Sequence, residues 1–156
     1  MKLDSLDLEI LKHMQDNARV SLRELGRKLE KPHTTIFSRV NRLQENGLIQ
    51  KFSAVIHPKD VGLKVGLLFI DSPPSQSRDL AQQIAKLEEV SHVYRTFDGK
   101  IIAKALVPDL EGHKGLEEFL AKIDHQNMQV YPIDEILKHE STIHDDALDR
   151  LNKEKQ

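Results

Sequence analysis

Residues 21–49 read SLRELGRKLEKPHTTIFSRVNRLQENGLI, and this stretch decides the fold of the first third of the chain. Ser21 followed by Glu24 is a capping box, in which each side chain satisfies a free amide at a helix start. Leu22, Leu25 and Leu29 then mark one apolar face. Glu30-Lys31-Pro32 ends that short helix, because proline disfavours helical geometry in the residue before it yet suits a first helical position. A further helix therefore starts at Pro32, with Ile36, Val40 and Leu43 on one face and Gly47 as its C-terminal stop. Upstream, Asp4 caps a helix in which Leu6, Ile10, Leu11 and Met14 recur at three- and four-residue spacing. Leu3 staples its entry, and Asp16-Asn17 stops it.

Two short helices joined by a tight turn behind a packing helix make the helix-turn-helix pattern. At about 100° per residue from Ile36, the residues pointing outward are Thr34, Ser38, Asn41 and Arg42, flanked by Thr35 and Arg39. All of them hydrogen-bond and none is acidic, whereas an ordinary solvated face mixes signs. A helix entering the major groove needs donors and no carboxylate near phosphate. The DNA-facing set is then His33, Thr34, Thr35, Ser38, Arg39, Asn41, Arg42 and Lys51. Within it Thr34, Ser38 and Asn41 face bases, while Arg39, Arg42 and Lys51 face phosphate. Charge points the same way. The 156 residues carry a net −2, yet residues 1–57 hold ten Lys/Arg against seven Asp/Glu, and residues 19–51 hold eight against three. The alternative is a plain three-helix bundle with a solvated face.

Downstream, Leu48 to Ile56 reads as a strand, a wing or link ended by His57-Pro58, and Lys59 to Lys64 reads as a connector. Then come a strand at Val65 to Ile70, a helix at Ser77 to Lys86, strands at Val90 to Phe97 and Lys100 to Val107, a helix at Leu116 to Ile123 and a strand at Met128 to Leu137. That order is β-α-β-β-α-β, the ferredoxin-like order, with Asp98-Gly99 as a two-residue hairpin signal. The fold class is α+β: a winged-helix-like helix-turn-helix domain at 1–50, a linking strand and connector at 51–64, a ferredoxin-like domain at 65–140 and a helical tail at 141–156. In the first strand, Leu67, Leu68, Phe69 and Ile70 are apolar on both faces, although two helices cover only one face of such a sheet. Another subunit, or a wing or C-terminal segment of the same chain, must cover the other. Leu148 and Leu151 of the tail are candidates for docking on a neighbour.

Leu3-Asp4, Leu6-Asp7, Ile10-Leu11, Asp16-Asn17-Ala18-Arg19, Thr34-Thr35-Ile36, Arg39-Val40, Arg42-Leu43 and Gly47-Leu48-Ile49 follow one another over about fifty residues. In that order and spacing they resemble the N-terminal signature of the Lrp/AsnC family of bacterial and archaeal transcription regulators. The resemblance implies a sequence-specific DNA-binding regulator that is not an enzyme. It also implies a C-terminal domain that dimerises through its sheets, tetramers or octamers built from those dimers, a pseudo-palindromic operator, and small effectors, usually amino acids, bound between dimers. The family's effector loop, Gly-Asp-aromatic-Asp, falls on Phe97, Asp98, Gly99 and Lys100, with Thr96 before it, and only Asp98 is retained. Phe97 removes a glycine and fills space, and Lys100 replaces a carboxylate. The loop is therefore expected to bind neutral amino acids weakly, and to favour an anionic ligand, an intersubunit carboxylate or nothing.

The remaining composition excludes other classes. The absence of cysteine removes disulfide scaffolds, thiol catalysis and Cys-based zinc sites. No apolar run reaches the roughly 18 residues of a membrane span, and Met1 leads into a charged amphipathic segment, so a cytoplasmic location is expected. Seven aromatics, none of them Trp, are too few for a base-stacking platform. His13, His33, His57, His92, His113, His125, His139 and His144 are scattered without close ligand pairs, and His139-Glu140 and His144-Asp145-Asp146 offer at most weak chelation. Neither a metal nor a cofactor is expected. Phosphate-loop, nucleotide-fold and nucleophile-elbow motifs are absent, which leaves an enzyme with an appended binding module, or an assembly protein with a vestigial helix-turn-helix, as the rival readings.

Overall fold

The computed structural model describes residues 2–123, 127–140 and 142–153. The chain forms two compact units, one of residues 1–54 with 140–156 and one of residues 55–139.

The first unit is built on α1 (Ser5–Asp16), α2 (Leu22–Lys28) and α3 (His33–Glu45). Ile10, Met14, Leu25, Ile36, Val40 and Leu43 form its core, with Leu3, Leu22, Leu29 and Ile49 packed around them. The leucine and isoleucine spacing of each helix thus converges on one centre. Asp4 caps α1 through a complete capping box with Asp7, each side chain accepting the other's amide at 3.0 Å. The box expected at Ser21 is only half made: Ser21 Oγ accepts the Glu24 amide at 3.1 Å, but Glu24 turns to Lys28, 3.6 Å away. Pro32 stands one position earlier than expected, as the N-cap of α3, and Gly47 closes the helix at φ +71°. The helix α6 (Asp145–Lys153) packs on α1 within this unit, where Asp149 pairs with Lys12 and the Ile143 amide donates to Gln15 at 2.7 Å. Leu148 is buried there, so it serves its own chain and not a neighbour, whereas Leu151 stays exposed. The last three residues of the expected tail, 154–156, lie outside the described set.

No strand forms over 48–56. The segment runs without a pairing partner, and Leu48, Phe52, Val55 and Ile56 are exposed. β-rich composition alone does not make a strand when no neighbouring backbone supplies the ladder. The expected connector contains a 3-10 turn, Pro58–Val61.

In the second unit, β1 (Leu63–Ile70), α4 (Pro74–Ile84), β2 (Val90–Arg95), β3 (Ile101–Pro108), α5 (Lys114–Leu120) and β4 (Met128–Ile133) form an antiparallel sheet in the order β2-β3-β1-β4. This is the ferredoxin-like arrangement expected. Most boundaries shift by one to four residues, and three of the shifts have a visible physical reason. α4 starts three residues early because Pro73 serves as N-cap and Pro74 as a first helical residue. β4 stops at Ile133 because it is the edge strand and its pairing with β1 ends at Val65. The hairpin loop spans 96–100, not two residues, because the Thr96 amide donates to Lys100 O at 2.8 Å and the Gly99 amide to Thr96 O at 3.2 Å.

Leu68 and Ile70 lie in the core beneath α4 and α5 with Ile84, Ala103, Leu116 and Phe119. The opposite face carries Val65, Leu67 and Phe69 of β1, in register with Leu106, Lys104 and Ile102 of β3 and with Ile133, Tyr131 and Gln129 of β4. Phe69 is 38% exposed and meets Tyr131 edge to face, ring centres 5.5 Å apart. The two-sided apolar strand thus has one face under helices, while on the other Val65 is buried, Leu67 half-buried and Phe69 exposed.

Candidate nucleic-acid interface

Helix α3 is fixed from two directions. From α2 it is held by a close approach at Gly26, where a Cβ would stand 2.7 Å from Lys31 O, so this position of α2 admits only glycine against the turn that follows. From α1 it is held by ion pairs. Arg39 reaches Asp4 at 2.5 Å and Asp7 at 3.1 Å, and Arg42 reaches Asp7 at 2.5 Å. Asp7 is wholly buried, so the two cations and the capping amide together offset its desolvation. Partial burial opposes ionisation of Asp4, but the Asp7 amide and the Arg39 guanidinium outweigh it and hold the carboxyl below the usual range. Hydrogen bonds to Asp4 and Asp7 raise Arg39 in turn.

His33, Thr34 and Ser38 are exposed and Thr35 and Asn41 half-buried; the first four lie on the first two turns of α3 and Asn41 on the third. Lys51 is exposed beyond the helix, in the unpaired segment. Arg39 and Arg42 are not free phosphate ligands: their side chains are 27% and 40% exposed and committed to α1. A sequence reading of α3 alone misses this, because the carboxylates lie some thirty-five positions upstream and look like caps only. It also misses three exposed residues of α3, Phe37, Gln44 and Glu45. Glu45 lies on the outward axis near the C-terminal end, about 16 Å along the helix from Thr34. Phe37 is 54% exposed and falls among Thr34, Ser38 and Asn41 at positions i, i+3, i+4 and i+7. That spacing was the available signal.

The loop at 96–100 is internally satisfied. Asp98 accepts the Thr96 hydroxyl, a bond that lowers its carboxyl pKa, and Lys100 pairs with Asp71 at 3.6 Å. Phe97 fills no space in the loop; it is fully exposed. Gly99, at φ +96°, makes the close approach, since a Cβ there would lie 2.8 Å from Ser72 O. Among the described residues, no group of three or more His, Asp or Glu is placed to hold a metal; His125 lies outside that set.

Residues 3–50 match the family model described as winged helix-turn-helix DNA-binding. The chain is 36% identical over 135 residues to the HTH-type transcriptional regulator Ptr1 of Methanocaldococcus jannaschii, covering 84% of each protein. It is 29% identical to the HTH-type transcriptional regulator LrpB of Bacillus subtilis, across 91% of this chain and 96% of that one. The chain belongs to the Lrp/AsnC family. The Escherichia coli AsnC structure superposes with a TM-score of 0.72 at 21% identity, over 91% of this chain and 99% of that one, so the fold is the family's throughout. This Lrp/AsnC member is a DNA-binding transcription regulator and not an enzyme. The matched residues 3–50 contain α1, α2 and α3, so the DNA-binding region is the first unit's helix-turn-helix.

Proposed function

We propose that the regulator binds a pseudo-palindromic duplex operator as a symmetric dimer, with the outward face of α3 from Thr34 to Asn41 in the major groove. Thr34, Ser38 and Asn41 meet base edges. His33, Thr35 and Lys51 meet the backbone together with Arg39 and Arg42, whose existing carboxylate partners make them the weaker phosphate contacts. The observation that carries this reading is the exposed stripe of α3, which has no acidic residue in its first turn. A two-fold dimer places half-sites roughly 10 bp apart or a multiple of that. The exposed patch of sheet around Phe69 and Tyr131 supports a second copy as the dimer partner, with tetramers or octamers built from it. For the loop Thr96 to Lys100, the pairing of Lys100 with Asp71 and of Asp98 with Thr96 supports weak binding of neutral amino acids. Work on DNA supports a cytoplasmic location; among the described residues no helix is long and apolar enough to cross a membrane.

Selection of bound duplexes from a randomised pool tests the reading. Asn41→Ala then costs about 1–3 kcal/mol on the selected operator and less on random DNA. Equal losses on both assign Asn41 to phosphate. An assembly protein with a vestigial helix-turn-helix selects no motif at all.

A further inference from the structure

We infer that Phe37 reads the methyl group of a thymine in the major groove, as an apolar contact at the edge of the polar stripe of α3, beside Asn41 and Thr34. The inference rests on the docking proposed above and adds a base-reading residue that the polar stripe does not supply. Phe37 is 54% exposed and stands apart from the core cluster of its unit. Its neighbours on the helix surface are Thr34, Ser38 and Asn41, so whatever surface receives those three also receives the phenyl ring. The ring lies on the flank away from Arg39 and Arg42, which are drawn toward Asp4 and Asp7 of α1. The face left free for a ligand is therefore turned toward Phe37. Among base edges in the major groove only thymine presents an apolar group, its C5 methyl. A phenyl ring donates and accepts no ordinary hydrogen bond, so against any other edge it desolvates polar atoms without return. Phe37 thus selects thymine at one position of each half-site.

The test uses the full-length protein and the operator it selects. Each thymine of a half-site is replaced singly by deoxyuridine, which removes the methyl and leaves every hydrogen-bonding group in place. At one position the wild type is expected to lose about fourfold in affinity, the effect of one buried methyl. Phe37→Ala is expected to bind thymine and uracil equally there while keeping wild-type sensitivity elsewhere, and Phe37→Leu to keep part of the discrimination. Because Phe37 is exposed, both variants retain the wild-type thermal transition. If no thymine methyl matters to the wild type, or if the effect persists undiminished in Phe37→Ala, the inference is overturned while the docking of α3 stands on its Asn41 response. A wild type that selects no motif removes the docking and this inference together. A change of oligomeric state in Phe37→Ala assigns the ring to a contact between copies instead and overturns the inference.

Discussion

Helix α3 and strand β1 each have one face in a core and one face outside it, but the outer faces differ in kind. Around Ile36, Val40 and Leu43 the helix turns inward, and its outward stripe is polar except for Phe37. Strand β1 buries Leu68 and Ile70 and leaves Leu67 and Phe69 beside Tyr131 and Ile102 on an aromatic and aliphatic patch bordered by Lys104 and Gln129. A polar face remains soluble alone and is suited to a hydrated, charged partner, whereas an aromatic sheet face gains most from a dry, self-complementary one. The chemistry of what is left uncovered thus separates a surface for DNA from a surface for a second copy.

The strongest way to break that contrast is to put a charge on the sheet. Phe69→Asp is expected to weaken self-association by about 4 kcal/mol, roughly a thousandfold, because an unpaired carboxylate would be desolvated in the interface. Leu68→Ala, one residue away, is expected instead to cost about 2–5 kcal/mol of folding stability and leave the oligomeric state unchanged. Sedimentation and urea unfolding of both variants separate the faces, and equal effects on association would erase the distinction.

On the helix side, Asp7→Ala removes a capping acceptor and the buried partner of two arginines. It is expected to cost about 2–3 kcal/mol of stability in the first unit, since Arg39 and Arg42 are partly rehydrated when released. Freed arginines should meanwhile raise affinity for random DNA and steepen its salt dependence, which a titration from low to high salt reads directly. Loss of both affinity and salt slope would mean that the carboxylate aligns the helix more than it restrains the cations.

The smallest effect is one of pH. The Asp4 carboxyl titrates below its unfolded value, so its contribution to stability is full above about pH 4 and is lost as pH falls through the lower folded value. Thermal melts from pH 7 to pH 3 should show the wild type converging on Asp4→Asn at the acid end. A constant difference between them across that range would remove the ion pair with Arg39 as the cause.

What was legible in the sequence follows from how local each feature is. The helices of the first unit and the strand order of the second are written in spacing, and Pro, Gly and Asp mark most of their ends. Leu48 to Ile56 has strand composition, but a strand exists only with a partner backbone, which composition does not encode. The hairpin at Asp98-Gly99 was visible as a turn, whereas its length depends on bonds that Thr96 makes across the loop. The outward face of α3 was legible as a polar stripe. Its neutralised arginines were not, because ion pairs with α1 are tertiary facts. Phe37 is hard to read from sequence for a simpler reason: an aromatic residue is ordinarily assigned to a core.

The clasp between Arg39, Arg42 and Asp7 divides the labour of a single helix. One flank of α3 holds it to the scaffold, while Thr34, Phe37 and Ser38, exposed, and Asn41, half-buried, lie on another flank outside the core cluster. Lettering and anchorage are therefore separable. The four outward positions form a cassette that can be rewritten for a new operator at little risk to folding. A wholesale exchange of α3 with another protein's helix succeeds only where the incoming helix brings two arginines in register with the carboxylate that awaits them.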